Sequence, residues 1–544
     1  MWDFKKICFI FSICILSVVA DLRIDPLVNT KLGLIRGLRA SDGDYSMFMG
    51  IPFAKVRQDN PFADALPQEP FDGIFEAYDD SAICPQIEEF ENTVTGTLDC
   101  LHLNIYVPNS ANSRNRLPVL VWIYGGGFSI GFSGRYLYGP KFIVRHDVIL
   151  VTINYRLGPY GFMCLDHPEV PGNQGLKDQL LALRWIKDNI ESFGGDTNKI
   201  TIFGESAGGM AVDFHIHSSH ERVFNKAIIH SGTSLTPTFP DPVKNAPLIL
   251  AEYLGLETND IDDAISFLAN FDTNSVILAA SALDLVFKPC VEQEYENVDG
   301  FITQNWINLP IPKVRNLPLL IGFNSQEELS TYGFERAQFY DNLIREKLAV
   351  GFDVDDPEFD GMEKIVRHFY LGDEPITENV RWEIINFQSD YRFGHPTLRT
   401  INKYVENGAG DIFQYVFSYV GERNFAKYLN NITIGEAAHA DELGYLFDMS
   451  FWTNVPNAQD QLVVDRMTTM WTNFVKYSDP TPEITELLTT KWTPITQGSS
   501  HHYLEINSEL SAKTRPYTDR MTFWDLFYKA NYNLQRIYPG NNVV

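Results

Sequence analysis

The sequence predicts an α/β fold with one large, mostly parallel sheet and helices on both of its faces. Short apolar runs recur along the 544 residues, each followed by a loop and then a helical pattern. Several of these runs are apolar throughout, which is typical of strands covered on both faces. Since no repeat, low-complexity tract or flexible linker interrupts the pattern, we expect a single domain over residues 21–544.

Six apolar runs are the predicted strands of this sheet, at 117–124, 148–156, 199–203, 225–232, 317–323 and 411–420. Between the second and third runs, the spacing of apolar residues predicts a helix. One face of it carries Leu176, Leu180, Leu183, Ile190 and Phe193. Two glycines then end the helix. A strand, a helix and a strand in succession imply a right-handed crossover, and the ligand crevice of such a sheet lies at the carboxyl ends of its strands.

The charge of the chain narrows the classes of partner. Asp and Glu outnumber Lys and Arg by 70 to 43, which gives a formal net charge of -27. A surface this acidic argues against binding to nucleic acid or to an anionic membrane. No feature of the sequence predicts an oligomeric state.

Residues 1–20 have the pattern of a secretory signal. A short basic start precedes the apolar run "ICFIFSICILSVV" and small residues before Asp21. The alternative is a transmembrane anchor, but the run is short for a span. We therefore expect a secreted, soluble protein without a membrane anchor.

Four cysteines follow this leader. Cys84 and Cys100 enclose a short loop, and a bridge between them would stabilise the fold by about 3 kcal/mol on the chain-entropy model. The apolar context of Cys164 favours a buried free thiol, although pairing with Cys290 stays open. The sequon at Asn431 predicts a glycan on a surface loop.

A candidate nucleophile lies in "KITIFGESAGGM", where Ser206 stands between two glycines after a predicted strand and before a predicted helix. A tight strand-to-helix turn of this kind exposes a nucleophilic serine and leaves no room for neighbouring Cβ atoms. The alternative is an ordinary serine cap on a helix.

Donors for an oxyanion are predicted in "VWIYGGGFSIG", where Gly126 and Gly127 follow a strand. The amide of Ala207, directly after the candidate nucleophile, is the second source of donors. A phosphate-binding loop is the alternative, but no Gly-Lys-Ser/Thr follows the glycines.

The base and acid of such a site must follow Ser206 in the order acid, then histidine. His439, in the small-residue loop "GEAAHADELGYLF", is the preferred base, and most of the other late histidines are interpreted as surface residues. Glu327 and Glu328 follow the fifth predicted strand, and spacing alone does not choose between them. The histidines of "HIHSSH" lack a carboxylate or thiolate at ligand spacing, so no metal is expected.

Four motifs together carry a resemblance to a known family: "FGESAGG", "WIYGGGF", "GFNSQEE" and "HADELGYLF". Further matches include "DCLHLNIYVP", "NYRLGPYGF" and "DRMTFWDLF". On these motifs the chain resembles the carboxylesterase/cholinesterase (type-B) family of α/β-hydrolases. The resemblance implies a secreted serine esterase that uses no cofactor or metal and acts on small-molecule esters.

The family pattern assigns the nucleophile to Ser206, the base to His439 and the acid to Glu327. Glu328 stands where the family usually has glycine, so the chain departs from the family pattern directly after the assigned acid. The resemblance also implies oxyanion donors at Gly126, Gly127 and Ala207, and a disulfide between Cys84 and Cys100.

Departures from two subgroups narrow the expected substrate. Cholinesterases carry a cation-binding tryptophan in the Cys84–Cys100 loop, whereas Phe90 is the one aromatic residue there, which disfavours acetylcholine. Juvenile hormone esterases typically have glutamine where this chain has Glu205. The sequence is most similar to secreted insect carboxylesterases, including antennal enzymes that clear ester odorants. A non-catalytic or sequestering cholinesterase-like binding protein is the alternative.

Overall fold

The computed structural model describes residues 25–307, 309–334 and 337–536, so the predicted leader at 1–20 lies outside the described residues. An eleven-stranded sheet forms the centre of this part of the chain. In spatial order its strands are Leu510–Thr514, His502–Ile506, Ile412–Phe417, Leu319–Asn324, Lys226–His230, Gly195–Glu205, Leu117–Ile123, Ile149–Ile153, His102–Pro108, Tyr45–Pro52 and Leu38–Arg39.

All six predicted strands belong to this sheet, and the α/β fold class is confirmed. They lie among the seven central strands, which pair in parallel from His502–Ile506 to Ile149–Ile153. Antiparallel strands extend the sheet at both ends. The predicted strands were recognisable because their side chains are buried on both faces, as in Leu117–Ile123, where every residue is buried.

Shorter strands form three small sheets outside the main one. The first contains Leu27–Thr30, Gly33–Arg36 and Ile74–Glu76; the second contains Ala54–Lys55 and Leu66–Pro67; the third contains Gln86–Ile87 and Val94–Thr95. The third lies within the Cys84–Cys100 loop.

Helices cover the sheet and join its strands. The α-helices of the described residues are Lys141–Val144, Gly158–Phe162, Gln174–Asn189, Ala207–His217, Ala246–Tyr253, Ile261–Ala269, Thr273–Ala282, Leu329–Tyr332, Leu343–Leu348, Phe359–Leu371, Arg381–Ser389, His395–Glu406, Phe425–Leu429, Ala458–Tyr477 and Thr518–Ala530. Short 3-10 turns occur at Ile190–Phe193, Pro312–Val314, Glu378–Val380, Asp441–Tyr445 and Tyr532–Leu534, and a π turn at Asp390–Gly394. None of the helices in the described ranges is long and apolar enough to cross a bilayer.

The predicted crossover helix is present as Gln174–Asn189 and continues into the 3-10 turn Ile190–Phe193. Gly194 ends it with a left-handed backbone, φ 80°. A glycine adopts this conformation without the steric penalty of a Cβ atom, so the chain can turn directly into the next strand.

Two disulfides link the four cysteines after the leader. Cys84 bonds to Cys100, as the resemblance implied, and Cys164 bonds to Cys290. The expectation of a free thiol at Cys164 was therefore wrong. Its apolar surroundings were read correctly, since both cysteines are almost fully buried, but a partner 126 positions away leaves no signal in the local sequence.

Candidate active site

A cavity of about 380 Å³ opens at the carboxyl ends of the central strands. Its walls include every residue that the sequence analysis named as nucleophile, acid, base or oxyanion donor: Ser206, Glu327, His439, Gly126, Gly127 and Ala207. The parallel sheet explains this meeting, because the strands Leu117–Ile123, Gly195–Glu205 and Leu319–Asn324 all end at the same edge.

Ser206 occupies a sharp turn between the strand Gly195–Glu205 and the helix Ala207–His217. Its backbone has φ 56° and ψ -125°, values that a residue with a side chain rarely adopts. The amide of Ser206 donates to the His230 carbonyl at 2.9 Å, which fixes the turn to the neighbouring strand. The strain holds the serine side chain at the cavity wall instead of in a helix cap, and no capping hydrogen bond from it is present.

The two flanking glycines are required by close backbone packing. A Cβ atom on Gly204 would lie 2.2 Å from the Gly208 carbonyl carbon, and one on Gly208 would lie 2.0 Å from the Ile123 carbonyl oxygen. Both contacts are with backbone atoms, which cannot move aside without shifting the helix Ala207–His217 or the sheet. The Gly-x-Ser-x-Gly spacing is therefore a steric condition for this turn.

The glycine loop faces Ser206 across the cavity. Gly126 and Gly127 have positive φ angles of 100° and 62°, and within the described residues their amides donate to no protein acceptor. The amide of Ala207 belongs to the first helical residue, whose N–H has no partner inside its helix. These three residues line one cavity with amides that can hold an oxyanion.

His439 is held from one side by Glu327. The Nδ1 atom of His439 lies 2.7 Å from Glu327 Oε2, and the backbone amide of His439 donates to the Glu327 carbonyl at 3.1 Å. The other oxygen of Glu327, Oε1, accepts hydrogen bonds from the Ser231 hydroxyl at 2.7 Å and from the backbone amide of Asn324 at 2.6 Å. Glu327 is thus a buried, fully bonded carboxylate that orients the imidazole.

The side chain of Glu328 does not contact His439, although Glu328 is the next residue along the chain. Its carboxylate forms an ion pair with Arg392 on the cavity wall, and its backbone amide donates to the Ser389 hydroxyl at 3.1 Å. Burial raises the pKa of Glu328, but the charge of Arg392 and the hydrogen bond with Thr331 together lower it below its usual value. The geometry separates the two carboxylates that spacing alone left open.

The other imidazole nitrogen, Nε2, lies 3.2 Å from Glu205 Oε1. Burial raises the pKa of Glu205 to about 8 against the lowering effect of His439. Burial lowers the pKa of His439, but the charge of Glu205 and the hydrogen bond to Glu327 raise it to about 9. No hydrogen bond joins Nε2 to the Ser206 hydroxyl in the described residues. Such bonds are often long before substrate binds.

A buried polar network supports this arrangement from behind. The Asn324 side chain donates to the Ala438 carbonyl at 2.7 Å and to Glu442 at 2.6 Å. Glu442 also contacts His230 Nδ1 at 2.9 Å, and the Trp471 indole donates to His230 Nε2 at the same distance. The network fixes the loop that carries His439. Sequence reasoning missed its members because each one is separated from its partner by many residues.

The chain matches the model of the Carboxylesterase family over residues 24–524. It belongs to the carboxylesterase family. Membership makes it a carboxylic ester hydrolase. It is 31% identical to the juvenile hormone esterase of Heliothis virescens, with 83% of this chain and 85% of the relative covered, and 29% identical to esterase FE4 of Myzus persicae, with 90% of each covered.

The solved structure of juvenile hormone esterase from Manduca sexta, with OTFP covalently attached, has the same fold. The TM-score is 0.82 at 27% identity, and the match covers 94% of this carboxylesterase and all of the other chain. The PNB esterase structure matches with a TM-score of 0.75 at 24% identity and covers 92% and 100% of the two chains, a likeness that shows the fold alone.

The histidines of "HIHSSH" each have a different polar neighbour in this carboxylesterase. His215 contacts Gln179 at 3.0 Å. His217 contacts the carboxylate of Asp213 at 3.0 Å, four residues earlier on the same helix, so the expectation that no carboxylate stands at such a spacing was wrong. The described residues contain no group of three side chains placed to hold a metal ion. Asn431 is exposed just after the helix Phe425–Leu429, whose residues border the cavity, and its glycan stays a prediction.

Two cations also line the cavity of this carboxylesterase, and the sequence analysis named neither. Arg392 belongs to the π turn Asp390–Gly394, and Lys288 lies in the long segment between the strands Lys226–His230 and Leu319–Asn324. That segment carries no motif, so no sequence signal marked Lys288.

Proposed function

We propose that this protein hydrolyses small to medium apolar carboxylic esters through an acyl-enzyme on Ser206. The observation that carries the proposal is the hydrogen bond that Glu327 accepts from His439 Nδ1 beside a strained Ser206, in a cavity whose glycine-loop amides donate to no acceptor among the described residues. These are the parts that acyl transfer needs: a nucleophile, an oriented base and an oxyanion site.

In the first step, His439 Nε2 takes the hydroxyl proton while Ser206 Oγ bonds to the ester carbonyl carbon. The carbonyl oxygen becomes an oxyanion held by the amides of Gly126, Gly127 and Ala207. As the C–O bond to the alcohol breaks, His439 returns the proton to the leaving oxygen. Glu327 stays ionised and stabilises the imidazolium that forms in between.

In the second step, water attacks the acyl-enzyme. His439 takes a proton from the water, the same amides hold the second oxyanion, and the bond between the acyl carbon and Ser206 Oγ breaks. The proton then passes back to the serine, and the carboxylic acid leaves.

The apolar side of the cavity supports the substrate class. Phe128, Met210, Phe393, Phe425 and Leu443 line it together with the catalytic groups. About 380 Å³ suits a compact ester better than a long-chain lipid. We further propose that the protein is secreted and that volatile odorant or pheromone esters, or xenobiotic esters, are among its substrates. The signal-like residues 1–20 and the disulfides support an extracellular location.

The decisive experiment compares the wild type with Ser206→Ala on a chromogenic short-chain ester, followed by a panel of acetate, butyrate and longer esters. We expect Ser206→Ala to lose at least about 10³-fold in kcat. Full activity in that variant contradicts the acyl-enzyme. Labelling by an organophosphate without sustained turnover would instead identify a sequestering protein.

A further inference from the structure

Lys288 places a cation directly beside the glycine loop. Its Nζ atom donates to the Gly127 carbonyl at 2.7 Å and lies 5.9 Å from the centre of the Phe128 ring. An ammonium has three donors, and in the described residues this is the one hydrogen bond that Lys288 Nζ makes. The other two N–H donors of this ammonium are not used by the protein in the described residues, and Lys288 lines the same cavity as Ser206 and His439.

The position of Lys288 is fixed by a buried anchor two residues further along. Cys290 is disulfide-bonded to Cys164, and its amide and carbonyl both bond to the Asn173 side chain, at 3.0 and 2.9 Å. Asn173 in turn precedes the long crossover helix Gln174–Asn189. The lysine therefore stands on a rigid support and not on a loose surface loop.

No carboxylate neutralises Lys288 within ion-pair distance in the part of the chain that the structure describes. The other charges of the cavity are already matched: Arg392 pairs with Glu328, and His439 pairs with Glu327. Glu205 also lines the cavity, but its carboxylate faces the imidazole of His439, with Oε1 3.2 Å from Nε2. Glu89 also lines the cavity, where burial and the charge of Glu88 raise the pKa of its carboxyl, and it forms no ion pair with Lys288 in the described residues.

Burial and the nearby Arg392 lower the pKa of Lys288 to about 8. The ammonium is thus still mostly charged at pH 7, in a setting that disfavours the charge. An anion that entered the cavity would relieve this cost, because a desolvated cation gains more from a counter-ion than an exposed one does.

We propose that Lys288 forms a cationic subsite for an anionic oxygen group of the substrate, so that the enzyme favours esters that carry a carboxylate near the scissile carbonyl. This inference rests on the proposed function. It adds a preference for a negative charge at one end of a substrate that is otherwise apolar.

The geometry sets the length of such a substrate. The N and O atoms of one residue lie at most about 3.6 Å apart, so Lys288 Nζ is within roughly 6 Å of the Gly127 amide. A carboxylate three bonds from the scissile carbon spans a similar distance. Half-esters of a four-carbon diacid therefore fit this distance: their ester carbonyl oxygen can bind to the amides of the glycine loop while their carboxylate binds to Lys288.

The test uses two ethyl esters of matched shape. Ethyl hydrogen succinate carries the carboxylate, and ethyl 4-methylpentanoate replaces it with an isopropyl group. Released ethanol is measured for both with the full-length wild type, Lys288→Met and Lys288→Arg at pH 7. We expect Lys288→Met to lower the ratio of kcat/KM for succinate over 4-methylpentanoate by about tenfold or more. Lys288→Arg, which keeps a cation, should retain most of the preference.

An equal loss of kcat/KM for both esters in Lys288→Met would overturn the subsite and leave Lys288 as a support for the Gly127 carbonyl alone. Calorimetric titration of Ser206→Ala with ethyl hydrogen succinate separates this proposal from the proposed function. Binding to Ser206→Ala that is lost when Lys288→Met is added, together with a wild type that hydrolyses neither ester, would support the subsite and contradict the hydrolase mechanism. Binding that Lys288→Met leaves unchanged would overturn the subsite.

Discussion

Glu327 and Glu328 are adjacent and chemically identical, yet their carboxylates serve different partners. Glu327 contacts His439 at 2.7 Å, while Glu328 pairs with Arg392. The direction of each side chain follows from the turn after the strand Leu319–Asn324, where the backbone amide of Asn324 donates a hydrogen bond to one carboxylate oxygen of Glu327. One hydrogen bond thus distinguishes two residues that sequence spacing treats alike.

We expect Glu327→Gln to lower kcat by about 10³- to 10⁴-fold, because an amide cannot fix the required tautomer of His439 or stabilise its charged form. Glu328→Gln is the matched control and should cost far less, since its carboxylate contacts Arg392 and not the imidazole. Steady-state kinetics on one chromogenic ester compare the two. Equal losses would assign the orienting role to neither residue alone.

Glu205 makes the second contact of His439, on the side where the Ser206 proton must arrive. Burial lowers the pKa of His439, and the Glu205 charge opposes this most strongly. A general base must be neutral, so the acidic limb of kcat/KM reports proton loss from this group. We expect Glu205→Gln to move that limb to lower pH by about one pH unit or more.

The measurement is a pH profile of kcat/KM for a neutral ester, with Glu205→Asp as the control that keeps the charge. The sign follows from the removed charge: without the carboxylate the imidazolium is less stable and loses its proton at lower pH. An unmoved limb, or a limb moved to higher pH, would show that Glu205 does not control the titration of His439.

At the scale of elements, the crossover helix Gln174–Asn189 is joined to the sheet by a buried ion pair. Arg156 follows the strand Ile149–Ile153, and its guanidinium donates to Asp178 on the helix at 2.8 and 2.7 Å. The remaining nitrogen donates to the carbonyls of Pro61 and Ala63. Neither charged side chain has any exposed surface, so the pair depends wholly on these bonds.

We expect Arg156→Met to lower the free energy of unfolding by about 3–5 kcal/mol, because it leaves the Asp178 charge buried without a partner. Lys31→Met is the control: Lys31 pairs with Asp188 at 2.7 Å on the same helix, but both side chains are more than half exposed. That change should cost less than about 1 kcal/mol. Chemical denaturation of both variants measures the difference, and similar losses would contradict the interpretation.

Helices and strands could be predicted where the local sequence has a clear hydrophobic pattern. Buried central strands are continuous apolar runs, and the crossover helix has a clear stripe, so both were located from the sequence. The outer antiparallel strands Tyr45–Pro52 and His102–Pro108 were not identified as strands. Their place in the sheet is set by pairing between distant segments, which no single window of sequence contains.

At the scale of the molecule, the two disulfides close loops of very different size. Cys84 and Cys100 are 16 positions apart, whereas Cys164 and Cys290 are 126 apart. On the chain-entropy model the longer loop contributes about 5 kcal/mol to the free energy of unfolding and the shorter about 3 kcal/mol. The longer bridge also supports the segment that carries Lys288.

We therefore expect the double variant Cys164→Ser and Cys290→Ser to be less stable than the double variant Cys84→Ser and Cys100→Ser. Urea denaturation of the two double variants against the wild type gives the comparison. A larger loss from the short loop would show that local packing, and not chain entropy, dominates at these sites.

The sequence by itself determined the fold class, the central strands, the glycine-flanked turn at Ser206 and the order of the motifs. Each of these depends on residues close together in the chain, where spacing and steric limits act directly. Spacing alone left Glu327 and Glu328 open, and the tertiary structure places Glu327 beside His439, as the resemblance implied; it also joins Cys164 to Cys290 and brings His439 and Lys288 to the cavity of Ser206. Those outcomes depend on the direction of side chains from segments that are distant in the sequence, and this direction is set by the packing of the folded chain.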